Sequence, residues 1–268
     1  MIWSMGIEGK IIFLITVFLL SLSSGYVEAG EEITVSAASS LTDVFTELGQ
    51  GFERTNPGVT VIFNFASSGS LLRQIERGAP VDLFASADSF TMDEAVVKKV
   101  VIPASRFDFA RNSLVLIVPN LSGQGPTSLK DLADPAVSRI ALGAPQTVPA
   151  GRYARKLLEE KGLWKLLLPK YIYADSVRQV LDYVRRDEVE TGIVYRTDAL
   201  TSGDMVRVID RIGPSDLVRY PIAIVAGSQE TLLAKRWINY LSSAEGRDVF
   251  ARYGFEIPAK AVQSTGRE

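Results

Sequence analysis

From Glu31 onward the apolar positions follow two alternating rhythms. Short runs of adjacent or alternate apolar residues predict strands at ITVSAA (33–38), VTVIFNFA (59–66), VDLFASA (81–87), SLVLIVP (113–119), RIALGAP (139–145), YIYAD (171–175) and YPIAIV (220–225), with TGIVYRTDAL (191–200) a strand running into a turn. Between them apolar residues recur every three to four positions. In 40–57 Leu41, Val44, Phe45, Leu48 and Phe52 share one helical face, and Asn56-Pro57 stops it. The same rhythm predicts helices over 70–78, closed by Gly78, over 89–100, over 149–164 with Pro149 near the first turn, and over 176–188. Residues 231–255 predict one or two more. Strand and helix alternate at spacings that suit a parallel sheet with helical crossovers.

The texture changes twice. RFDFARN gives way near Asn112 to the strongly apolar SLVLIVP and then to a polar Gly/Pro/Ser segment (122–135), which predicts a crossing into a second domain. The strand at 220–225 and the helices after it would return to the first. The expected fold class is α/β in two lobes, residues 30–112 with 220–268 forming one and 113–219 the other, with a cleft between.

Residues 1–29 stand apart. Lys10 precedes twelve residues (11–22) interrupted only by Thr16 and Ser21, and small residues lead to Val27-Glu28-Ala29. This reads as a secretory signal peptide cut after Ala29, although Glu8 offsets Lys10 and an uncleaved anchor is the alternative. The run is short for a bilayer span.

Composition narrows the chemistry. Without residues 1–29, which hold Lys10, Glu8 and Glu28, the chain keeps 28 basic and 29 acidic residues, so no strong field for nucleic acid or a membrane surface is expected. Cysteine and histidine are absent. That excludes disulfides, thiolate or imidazole metal sites, a lipid-modified N-terminal cysteine and Ser-His-Asp or Cys-His catalysis. An enzyme would need a Ser-Lys or carboxylate pair, and no lysine adjoins the serine-rich turns. A regulator's effector domain would share such lobes, but the leader and the lack of a helix-turn-helix segment argue against it.

Four predicted helix starts carry the candidate chemistry: Ser39-Ser40, Ser67-Ser68-Gly69-Ser70, Val148-Pro149-Ala150-Gly151 and Asp175-Ser176-Val177. Each alone is explained by ordinary capping. Together they point further. The first four N–H groups of a helix lack intrahelical partners and lie at the positive end of its dipole, so small, hydroxyl-bearing starts can receive an anion. Ligands of open α/β sheets sit beyond the carboxyl ends of the strands, where these turns lie.

AASSLTDVF, FASSGSLLRQIERGAPVDLFASAD, NSLVLIVP, VPAGRYARKLLEEKGLW, SVRQVL, GIVYRTDA, YPIAIV and FARYGF together resemble the periplasmic molybdate-binding proteins of ABC importers, over nearly the whole of residues 30–268. The resemblance implies a type II periplasmic binding-protein fold, periplasmic location, a membrane permease as partner, a monomer, and no cofactor or catalysis. The implied ligand is molybdate, and tungstate with it. The implied contacts are Ser40 and Ser68 through hydroxyl and main-chain N–H, Ala150 and Val177 through backbone N–H, and Tyr195 through its phenol. Molybdenum would be held only as the oxyanion, through these five. Ser39 stands where a small apolar residue is usual and is assigned a structural role, with Ser40 preferred as the inward hydroxyl. Gly69 interrupts a serine run and would let the backbone approach the ligand.

Neutral donors are therefore expected, with Arg73, Arg152 and Arg178 not ligating, Arg178 being the nearest exception. Asp82, Asp88, Asp93 and Glu94 are expected outside the cleft, since a carboxylate inside would repel a dianion. A protonated phosphate would need an acceptor that the five positions do not supply. Between molybdate and sulfate or thiosulfate the residues themselves do not choose, because these anions differ mainly in size.

Overall fold

The computed structural model describes residues 30–120, 125–214 and 218–258. The predicted leader lies outside them. Residues 31–258 of this set build two five-stranded sheets whose orders repeat one plan. The first is β2 (Val59–Ala66), β1 (Glu31–Ala38), β3 (Leu83–Ala85), β10 (Val218–Ile224), β4 (Phe107–Asn112). The second is β7 (Tyr171–Ala174), β6 (Ile140–Gly143), β8 (Thr191–Tyr195), β5 (Leu114–Pro119), β9 (Val206–Ile212). In the first sheet β10 runs against both neighbours, and in the second β5 does, so four strands of each share one direction. Each reversed strand follows a passage of the chain between sheets: β4 leads to β5, and β9 to β10.

The helices are α1 (Thr42–Thr55), α2 (Ser68–Glu76), α3 (Ser89–Val97), α4 (Pro149–Glu160), α5 (Trp164–Leu167), α6 (Val177–Arg185), α7 (Arg196–Thr201), α8 (Thr231–Leu241) and α9 (Ala244–Arg252). A 3-10 turn (Ser39–Leu41) leads into α1. Fully buried apolar strands occupy the centre of each sheet, the short β3 in the first and β8 with β5 in the second. β5 and β8 are buried along their whole lengths, which is why they read as continuous apolar runs. Phe45 on the predicted α1 face is fully buried among the rings of Phe63, Phe109, Trp237 and Phe250, with centroids 5.7–6.3 Å away. A cluster of this kind stabilises by roughly 1.5–3 kcal/mol per buried ring and ties α1, α8 and α9 to the first sheet.

The pattern missed two strands and two short helices, one of them α5, which follows the predicted helix over 149–164. β4 (FDFARN) and β9 (VRVIDRI) are edge strands whose charged residues face outward, so neither shows an apolar run. The expected turn after β8 is helix α7, whose start is closed by the Asp198 carboxylate accepting from Tyr195 N–H at 3.3 Å. Residues 231–255 form two helices, separated where Ser243 accepts from Gly246 N–H at 3.1 Å.

Candidate functional site

All four helix starts singled out by sequence follow the carboxyl ends of parallel strands: the 3-10 turn and α1 follow β1, α2 follows β2, α4 follows β6 and α6 follows β7. Their small residues are buried: Ser40 is 2% exposed, Ser68 0%, Ala150 1% and Val177 3%. Tyr195, at the end of β8, is 0% exposed.

Specific contacts draw these positions together. Ser40 Oγ lies 3.0 Å from Tyr220 Oη, and the Tyr220 ring meets the Tyr195 ring edge-on at 5.7 Å. Ala87, after β3, joins two more: its N–H donates to Ser68 Oγ at 3.0 Å, and its carbonyl accepts from Tyr195 Oη at 3.3 Å. The start of α2 reaches the loop before α4, where Gly69 N–H donates to Thr147 O at 3.0 Å. A Cβ on Gly69 would lie 2.7 Å from that oxygen, so Gly69 permits a main-chain approach to Thr147. Gly151 has the same function inside α4, where a Cβ would lie 1.8 Å from Gly143 O and push the helix off β6. The start of α6 packs on the 3-10 turn that holds Ser40.

The cations near these starts are committed to carboxylates. Arg178 pairs with Asp43 at 2.7 Å and with Asp198 at 2.7 Å, so α6 is tied to both α1 and α7. Arg152 pairs with Asp88 and donates to Thr91 Oγ1 at 3.3 Å, while its guanidinium covers the Phe90 ring at 4.5 Å. Arg73 donates to Ser70 Oγ at 3.0 Å on an exposed face. Asp88 corrects one expectation. It is 1% exposed, directly after Ala87, and its charge is tolerated there because Arg152 neutralises it and Thr91 N–H donates to it. Asp82 lies elsewhere, bonded to Thr34 N–H and Ser228 Oγ, and Asp93 pairs with Arg106.

Burial pushes the Tyr195 and Tyr220 phenols well above ten, so both stay protonated donors. Asp198 is lifted to about 6 by burial, against the opposing pull of Arg178. Arg178 remains charged because Asp198 and Asp43 more than offset its own burial. The groups gathered here are hydroxyls and helix-start amides, suited to an anion that brings its own acceptors. Among the described residues no group of three acidic side chains is placed to hold a metal cation.

Sequence reasoning missed Tyr220, Asn112, Thr197 and Asp198. Tyr220 and Asn112 had been noted only as crossing-strand positions. The one signal that points to them is the place of Asn112 at the end of β4, directly before the apolar strand β5.

The model of the bacterial extracellular solute-binding protein family matches residues 33–256. The molybdate-binding protein ModA of Escherichia coli K12 is 40% identical over 233 residues, 84% of this chain and 89% of that protein. ModA of Haemophilus influenzae is 34% identical over 239 residues, 85% and 91% of the two chains. Among solved structures, the periplasmic molybdate-binding protein of Azotobacter vinelandii superposes with a TM-score of 0.75 at 22% identity, covering 85% of this chain and all of that one. The sulfate-binding protein SubI of Mycobacterium tuberculosis superposes at 0.72 with 17% identity over 85% and 87%. These two likenesses are of fold alone. The chain belongs to the bacterial extracellular solute-binding protein family, within its molybdate-binding group.

Proposed function

We propose that this chain captures molybdate, and tungstate equally, between two lobes and delivers it to the membrane permease of an ABC importer. No bond is made or broken. In this reading the lobes comprise residues 30–112 with 220–268, and 113–219, and they close by hinge motion near residues 112–114 and 220–222. Residues 1–29 direct export, and the carrier works as a periplasmic monomer.

One observation carries the proposal. Small-residue helix starts from both sheets meet around Ser40, Ser68 and Tyr195, while Arg152 and Arg178 beside them are already paired with Asp88, Asp43 and Asp198. What remains for a ligand is neutral: the hydroxyls of Ser40 and Ser68, the amides of Ala150 and Val177, and the Tyr195 hydroxyl once its proton turns from Ala87 O, 3.3 Å away, to the ligand. A fully ionised tetrahedral oxyanion is solvated by such donors without needing a countercharge, and closure strengthens each bond by drying the site.

Thermal melting tests this. Molybdate at one hundred times its dissociation constant stabilises by about 2.7 kcal/mol, a rise of roughly 5–10 °C for a chain of this size. A rise with sulfate and none with molybdate transfers the site to the smaller oxyanion.

A further inference from the structure

Tyr220 is fully buried, and its hydroxyl has two partners, Ser40 Oγ at 3.0 Å and Asn112 Nδ2 at 3.3 Å. The direction of these bonds follows from Asn112. Its Oδ1 accepts from Ser113 N–H at 2.9 Å, which settles which end of the amide is oxygen. Its Nδ2 donates to Thr197 Oγ1 at 2.9 Å and to Tyr220 Oη. An amide nitrogen only donates, so Tyr220 accepts there and has one proton left, which it gives to Ser40 Oγ. Ser40 then has a lone pair occupied from behind, and its own proton is turned away from Tyr220. Ser68 is polarised in the same sense, because Ala87 N–H donates to its Oγ at 3.0 Å.

We infer that Tyr220, set by Asn112, is a positioning residue that orients Ser40 as a donor to the bound oxyanion and so makes the site disfavour anions that carry a proton. This rests on the reading of Ser40 as a ligand contact. A hydroxyl free to rotate would accept from the P–OH of hydrogen phosphate as readily as it would donate to molybdate. One held by Tyr220 keeps a single lone pair, and can offer it to a P–OH only by turning its own proton to a direction in which the described residues supply no acceptor. Burial keeps the phenol protonated, so the direction of the relay persists across the neutral and alkaline range.

The test is a double-mutant cycle on the full chain without residues 1–29, read by calorimetric titration with molybdate. Tyr220→Phe keeps the ring and removes only the hydroxyl. It should weaken molybdate about tenfold in the parent and less than twofold in the Ser40→Ala background, because its effect passes through the Ser40 hydroxyl. Equal losses in both backgrounds would make Tyr220 merely structural and overturn the inference. In competition against molybdate, inorganic phosphate should gain on sulfate at least severalfold in Tyr220→Phe. An unchanged ratio of the two would overturn the claim about protonated anions. If Tyr220→Phe does not fold, Asn112→Ala, which frees the Tyr220 oxygen to turn, is expected to give the same loss and the same shift toward phosphate. Ser40→Ala alone separates the layers: if it leaves molybdate binding unchanged, the ligand reading of Ser40 fails, whereas if it weakens binding and Tyr220→Phe does not, only the relay fails.

Discussion

Gly69 and Thr147 touch main chain to main chain: the Gly69 amide donates to the Thr147 carbonyl at 3.0 Å, and a Cβ at residue 69 would lie 2.8 Å from Thr147 Cα. Helix α2 of the first sheet and the loop before α4 of the second therefore meet with no room for a side chain. Gly69→Ala isolates closure from folding. Alanine favours the helix itself by about 0.5–1 kcal/mol, so the variant should fold at least as well unliganded. Its molybdate affinity should fall at least about tenfold in calorimetry, since Thr147 is backbone and cannot swing aside. Parent-like affinity would separate this contact from the bound state.

Ser68 accepts from Ala87 N–H, and in the proposed site its own proton serves the ligand. Ser68→Ala should weaken oxyanion binding by about 1–3 kcal/mol, and should also lower unfolding stability by about 1–3 kcal/mol, because a buried amide loses its acceptor. Paired titration and denaturant melts read the two losses separately. A loss of stability with unchanged affinity would remove Ser68 from the site.

Arg178 holds the charge of a carboxylate that is 0% exposed. Arg178→Gln should cost about 3–5 kcal/mol in stability at pH 7, the usual result of stranding a buried charge. The pH dependence has a definite sign. Asp198 has its pKa raised to about 6, so the folded chain binds more protons than the unfolded chain between about pH 4 and 6. Its contribution to stability is therefore fully present below the unfolded value and is lost as pH rises through 6. Removing Arg178 takes away the pull that opposes burial, so the deficit of Arg178→Gln should shrink from pH 7 to pH 5. Melting curves at the two pH values check this, and a deficit that grows in acid would contradict it.

Molybdate binding should be flat in alkali. The five proposed contacts are serines, amides and Tyr195, and burial holds the Tyr195 phenol well above ten. An ordinary tyrosine contact, titrating near 10, would weaken binding about fourfold at pH 10.5. Titrations between pH 7.5 and 10.5 distinguish the two.

The sequence carried the helix starts because strand-to-helix turns write themselves in local text: Ser39-Ser40 after β1, Ser67 to Ser70 after β2 and Val148 to Gly151 after β6 each interrupt a periodic pattern. It did not carry what those starts face. Ser40 and Tyr220 are 180 residues apart, and Arg178 lies far along the chain from Asp43, so no periodicity links them. Asp88, expected outside the cleft, caps Thr91 N–H, which is a local role. Its second role depends on Arg152, supplied by the other sheet. β4 and β9 escaped for a different reason: an edge strand keeps charged residues on its open side, which erases the apolar run by which buried strands such as β5 are recognised.

The most direct measurement is isothermal titration of residues 30–268 with molybdate, tungstate, sulfate and phosphate at one pH and ionic strength. Molybdate and tungstate should bind tightly one-to-one, sulfate far more weakly and phosphate weakest. Binding of sulfate or phosphate in preference to molybdate would contradict the proposed cargo, and heat from none of the four would contradict the site itself.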